Sequence, residues 1–111
     1  MDTEARPAID LGAVYSALAN ETRRAILELL KDPSAHFDAA QYRELGLDLA
    51  DGVCVQDIQR AAEMSQSVAS SYLKMLHTAG FLTSYREGRW TYYRRDEHAI
   101  QAIAEAISRA I

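Results

Sequence analysis

The sequence predicts a mainly α-helical domain with one small β-hairpin, in the order α-α-α-α-β-β-α. Three observations carry that reading. Apolar residues recur at helical spacing near both ends of the chain and between residues 55 and 80. A break at Ser65 divides that middle stretch into two short helices, a helix-turn-helix arrangement. From Leu82 to Arg95 the period changes to two around Glu87-Gly88, which predicts a hairpin. Helix, helix, helix-turn-helix, hairpin and closing helix is the order of a winged helix-turn-helix domain.

The elements follow in order. A first helix is expected over 8–19, entered through Pro7, with Leu11, Val14, Tyr15 and Leu18 on one face. Asn20 suits the N-cap of a second helix that runs to Lys31, with Ile26, Leu27, Leu29 and Leu30 as its stripe. Asp32-Pro33 ends it, because the residue before a proline avoids helical backbone. In 33–54 the apolar residues are interrupted by Gly46 and Gly52, which predicts a short helix between loops in an insertion of unassigned role. The helix over 55–64 turns Ile58, Ala61 and Ala62 inward, and Gly80 is placed to end the helix that follows. A two-residue loop at Glu87-Gly88 would set Tyr85 opposite Trp90, Thr83 opposite Tyr92 and Arg86 opposite Arg89. Like charges so opposed favour an anion beyond the tip. The last helix, 96–111, carries Ile100, Ile103, Ile107 and Ile111 in a stripe suited to a partner helix or to the domain's own core.

Length and composition restrict the function classes. The 111 residues form a single domain, 1–111, whose modest core would gain from dimerisation. No apolar run reaches the ~20 residues of a membrane span, and the acidic start Met1-Asp2-Thr3-Glu4 is unlike a secretory signal. With Cys54 the only cysteine, neither an intrachain disulfide nor a multi-cysteine metal cage can form. A cytoplasmic protein without membrane contact or cofactor is expected. The net charge of -4 is unevenly spread: residues 60–95 hold six basic and two acidic residues, the remainder six and 14. Distribution steers a protein toward phosphates more than total charge does.

The stretch from Ser65 to Gly80 carries the functional reading. Val68, Ala69, Tyr72, Leu73 and Leu76 form its apolar stripe, opposite Ser67, Ser70, Ser71, Lys74 and Thr78. A helix face of small or basic residues without a carboxylate suits close approach to double-stranded DNA. Gln66 can read adenine edges and Lys74 guanine or phosphate, while Ser67, Ser70 and Ser71 position the helix. Arg86 and Arg89 would reach the flanking backbone or minor groove. The alternative is a winged helix used only for protein contact, its serine-rich face docking a partner. An enzyme using Cys54 as nucleophile has no positive support, since no histidine lies near it in sequence.

The run Leu18-Ala19-Asn20-Glu21-Thr22-Arg23-Arg24-Ala25-Ile26-Leu27-Glu28-Leu29-Leu30 resembles the opening signature of the ArsR/SmtB-like bacterial transcriptional repressors. Ser65 to Ser70, then Leu73-Lys74-Met75-Leu76 and Ala79-Gly80-Phe81-Leu82, are similar to that family's recognition-helix pattern. Arg86-Glu87-Gly88-Arg89-Trp90 and Tyr92-Tyr93-Arg94 resemble its wing. The resemblance spans about residues 10–31 and 55–111, and the motifs are specific in combination. It implies a homodimer joined through helices 8–19 and 96–111 that leaves an inverted-repeat operator on a metal or redox signal. Two features depart from the pattern: Ser71-Tyr72 stands where the family has a basic or amide residue followed by histidine, and 33–54 exceeds the usual connection.

The family's sensor sites are incomplete here. Where arsenic-sensing relatives place Cys-x-Cys, this chain has Cys54 and Gln56, too few thiolates for a soft metal. Asp96-Glu97-His98 matches half of a zinc-sensing set, whose second half would fall at Arg109 and beyond Ile111, so no metal site is expected. His36 and His77 lack partners at metal spacing. Cys54 reads either as a small buried hydrophobe between Val53 and Val55 or as a thiol sensor of an oxidant beside the reading helices. Nearby Asp51 and Asp57 disfavour a thiolate. A small inducer is the other candidate signal.

Overall fold

Asp10 opens the first helix of the computed structural model, which describes residues 8–111. Its carboxylate accepts the Ala13 N–H at 3.0 Å, so α1 (Leu11–Leu18) starts later than expected. Pro7 lies outside the described residues. Asn20 caps α2 (Glu21–Lys31) as expected, accepting the Arg23 N–H at 2.9 Å. The 33–54 segment contains the expected short helix, α3 (Ala39–Glu44), between 3-10 turns at Pro33–Ala35 and Leu49–Asp51. It then adds a strand that periodicity did not reveal, β1 (Val53–Cys54), two residues being too few to show alternation. The rest follows the expected order: α4 (Val55–Ala61), α5 (Gln66–Thr78), β2 (Leu82–Glu87), β3 (Trp90–Arg95) and α6 (Glu97–Ala110). The strands form one antiparallel sheet in the order β1-β3-β2.

Val14, Ile26, Val53, Ile58, Leu73 and Leu76 are fully enclosed, so the core joins α1, α2, β1, α4 and α5. From α6 only Ile103 is buried; Ile100 and Ile107 are half-buried, and Ile111 is 94% exposed. Tyr15, on the α1 face that also carries Leu11, Val14 and Leu18, is 45% exposed. The apolar faces of α1 and α6 therefore continue past what this chain covers itself.

A buried arginine fixes the α1–α2 corner. Arg23 Nε donates to the Ala17 carbonyl and Nη2 to the Ser16 carbonyl, both at 2.9 Å. Those carbonyls end α1, where the helix dipole favours a cation. The same guanidinium lies 4.8 Å from the centre of the Tyr72 ring on α5, within range of a cation–π contact. Arg24 reaches only the Leu18 carbonyl, in an exposed setting. Arg23→Ala should lower stability by about 2–3 kcal/mol in urea unfolding, because it strands the buried Ala17 carbonyl and opens a gap beside Tyr72. Arg24→Ala should cost less than about 1 kcal/mol.

Candidate nucleic-acid interface

Local chemistry sets both ends of α5. At its start the Ser65 hydroxyl accepts the Val68 N–H at 3.2 Å. At its end Gly80, with φ +99°, donates to the His77 carbonyl at 3.1 Å and Phe81 donates to that of Leu76 at 2.9 Å. This paired closure of the last turn is the one expected of that glycine. Ala69, Leu73 and Leu76 have no exposed surface, which pins one side of the helix to the core. Tyr72 is half-buried; its hydroxyl accepts from Asn20 Nδ2 at 3.3 Å.

The opposite side is open. Gln66, Ser67, Ser70, Ser71 and Lys74 are all exposed. Val68 departs from its expected inward position: it is 37% exposed. One residue advances a helix by about 100°, which carries Val68 from the line of Ala69 to the flank of the polar face. Sequence reasoning therefore missed an apolar side chain at the rim of that face.

The turn before α5 is tight. Glu63 donates to the Arg60 carbonyl and Met64 to that of Gln59, both at 3.2 Å, with Glu63 at φ +54°. It is the one non-glycine residue at positive φ among those described. In α4, Ile58 is buried as expected and Ala62 half-buried, but Ala61 is exposed because the helix ends there. Asp57 binds Arg60 Nη1 at 3.1 Å and accepts the Tyr42 hydroxyl at 2.6 Å.

The hairpin register corrects the sequence expectation. Glu87 pairs with Trp90, Arg86 with Thr91 and Tyr85 with Tyr92, so the loop is Gly88-Arg89 and not Glu87-Gly88. Gly88, at φ +64°, occupies the first central position of the turn, where a positive φ is needed. The expected loop would have forced that backbone on Glu87. Each partner moves by two residues, so every side chain keeps its face of the sheet. Arg86 does not oppose Arg89, and like-charge repulsion gives no reason for an anion beyond the tip. Both arginines are nonetheless exposed, Arg89 in the turn itself.

Of the cations between 60 and 95, two are engaged internally. Arg60 pairs with Asp57. Arg95 donates from Nη1 to the Leu27 carbonyl at 3.2 Å and from Nη2 to Glu97 Oε1 at 3.1 Å. Its Nε lies 2.8 Å from Glu97 Oε2, an ion-pair distance without hydrogen-bond alignment. Lys74, Arg86, Arg89 and Arg94 form no ion pair with a described residue.

Cys54 is half-buried in β1, opposite Tyr92, and packs against the core. Its N–H donates to the Tyr42 hydroxyl at 2.9 Å. Burial, and then the bond to Asp57, push the Tyr42 phenol well above its usual range, which keeps it a neutral donor. Burial likewise raises Tyr85, Tyr92 and Tyr93. Asp96 of the half-matching zinc pattern is occupied as the cap of α6, accepting the Ala99 N–H at 3.0 Å. His36, His77 and His98 are exposed, and no three His, Cys, Asp or Glu among the described residues gather around a metal position.

A capped helix with an open, carboxylate-free face, preceded by a tight turn and followed by a basic hairpin, defines a winged helix-turn-helix regulator of transcription. No family model matches the chain. It is 42% identical over 99 residues to the HTH-type transcriptional regulator YbzH of Bacillus subtilis, covering 88% of this chain and 95% of that one. It is 35% identical over 84 residues to the putative arsenical resistance operon repressor ArsR2 of Halobacterium salinarum, covering 76% of this chain and 57% of that protein. Among solved structures, the NMR structure of the homodimeric winged helix-turn-helix DNA-binding domain of Mb0332 from Mycobacterium bovis, a possible ArsR-family regulator, has a TM-score of 0.60. It is 29% identical and covers 90% of this chain and 77% of that one. The chain belongs to the ArsR family of winged helix-turn-helix transcriptional regulators. These relatives are named as regulators, not enzymes, and no described helix is long and apolar enough to cross a membrane.

Left-handed backbone costs a side-chain-bearing residue about 1 kcal/mol. Glu63→Gly should therefore stabilise the fold by up to about 1 kcal/mol in urea unfolding, the relief of strain outweighing the added freedom of the unfolded chain.

Proposed function

We propose that the protein is a homodimeric repressor that binds an inverted-repeat operator and leaves it on a chemical signal. The observation that carries the reading is the exposed, carboxylate-free side of α5, anchored from behind by Ala69, Leu73 and Leu76. Two such helices, related by a dimer axis, would enter successive major grooves about 34 Å apart. Gln66 suits an adenine edge, Lys74 a guanine or a phosphate, and Ser67, Ser70 and Ser71 position the helix. Val68 adds an apolar contact of the kind a thymine methyl accepts. Arg86 and Arg89 reach the flanking backbone or minor groove. The dimer is supported by the apolar surface that α1 and α6 leave partly uncovered at Tyr15, Ile100 and Ile107, and by the homodimeric relative.

Binding to the DNA upstream of the protein's own gene, followed by fluorescence anisotropy against salt, tests this reading. Removing the Lys74 or Arg89 side chain should weaken binding to all sequences. It should also flatten the salt dependence by about one unit of slope for each phosphate no longer neutralised, hence about two per dimer. A monomer by sedimentation, or an unchanged slope in both variants, would overturn the assignment.

Cys54 acts as a packing residue in this reading, on its half-buried place in β1. Peroxide should then leave the DNA affinities of wild type and Cys54→Ser equal to one another. Protection by the serine would instead make the thiol a sensor.

A further inference from the structure

A cleft of 850 Å³ lies between the 33–54 segment and the face of the hairpin that carries Thr83, Tyr85 and Arg94. That volume is within the range of small-molecule sites, about 300–1,000 Å³. Arg43 from α3 and Arg94 from β3 line it together with Asp48 and Asp51, and Leu47 and Tyr85 supply half-buried apolar surface. No ion pair joins these four side chains. Neither arginine forms an ion pair or side-chain hydrogen bond with a described residue, and the Asp51 carboxylate likewise has no such partner. Asp48 spends one oxygen on the Ala50 N–H at 2.9 Å. Unspent charges of both signs around one apolar wall match a ligand that carries both signs and an apolar body.

We propose that this cleft binds a free α-amino acid, and that its occupancy alters DNA binding. The guanidiniums of Arg43 and Arg94 take the carboxylate, in the planar fork that arginine offers. Asp51 takes the ammonium, and the side chain lies along Leu47 and Tyr85.

Both walls of the cleft connect through Tyr42 to α4. Tyr42, the neighbour of Arg43 on α3, turns into the core, where its hydroxyl joins Asp57 on α4 to the Cys54 amide at the start of that helix. Tyr85 stacks on Tyr92 with ring centres 5.0 Å apart, and Tyr92 meets Tyr42 edge-on at 6.2 Å. Gly52 closes over this stack: a methyl group there would sit 3.1 Å from both Tyr85 and Tyr92. A ligand that draws α3 toward β3 thus pulls on α4 through a bonded, tightly packed chain. The regulatory half of this proposal rests on the DNA-binding reading; the binding half does not.

Calorimetric titration of the full chain with each of the standard protein amino acids tests the site without DNA. At least one should bind below about 1 mM. Its N-acetyl and carboxamide derivatives, each lacking one charge, should bind at least about tenfold more weakly. Arg43→Gln and Asp51→Asn should do the same, with melting temperatures unchanged because both side chains are exposed. No binding by any amino acid at about 10 mM overturns the site, as does binding indifferent to both variants. Anisotropy with the upstream DNA then reads the coupling: the bound amino acid should shift DNA affinity in wild type and not in Arg43→Gln. An occupied cleft that leaves DNA affinity unmoved overturns the coupling. A protein that binds the amino acid but no DNA overturns the function proposed above and leaves the site standing.

Discussion

The buried guanidinium of Arg23 is the constraint on which the orientation of the reading helix depends. A charge removed from water is tolerated only where its hydrogen bonds are replaced. Here two carbonyls at the end of α1 and the face of Tyr72 do so. The guanidinium is on α2 and its partners are on α1 and α5, so the interaction that solvates the charge also fixes those helices to one another. Asn20 reinforces the arrangement, capping α2 with its oxygen and donating its amide to the Tyr72 hydroxyl. Tyr72 stands where the family resemblance leads one to expect histidine. In this chain its ring serves the rear of α5, leaving Ser71 and Lys74 on the open side.

A site held on a rigid element keeps its geometry better than one on a loop. The outward residues of α5 need no partners of their own, because both helix ends and the rear face are already satisfied. Serines bring little bulk to that surface, and the helix can approach a groove closely. The hairpin differs: Arg89 sits exposed in a two-residue turn and not on a helix packed from behind.

What the sequence made legible follows from how local each signal is. Asn20, Gly80 and the switch from helical to alternating period act on backbone within a few residues, and the structure has them where expected. The register failed for an equally local reason, since Glu87-Gly88 and Gly88-Arg89 both place glycine in the loop and only the first central position decides between them. Arg23 and Asp96 were illegible because their partners are tertiary or already committed. One looks like any surface cation until the α1–α2 corner forms around it, and the other like half a metal site until it caps α6. Val68 was misassigned because a five-residue apolar stripe is wider than the contact the core makes with the helix.

Charge placement decides which face of the domain suits a polyanion. The formal charge of -4 would repel DNA if it were uniform. Folding narrows the basic stretch: Arg95 is largely covered and paired with Glu97, while Arg60 stays exposed with Asp57 beside it. The four without an ion pair among the described residues are Lys74 on the open side of α5 and Arg86, Arg89 and Arg94 on the hairpin. Acidic residues elsewhere make other approaches to a polyanion unfavourable, so a modest number of cations can select one docking face. Arg94, whose strand partner is Thr83, forms no ion pair with a described residue, which leaves its charge available to the cleft proposed beside 33–54.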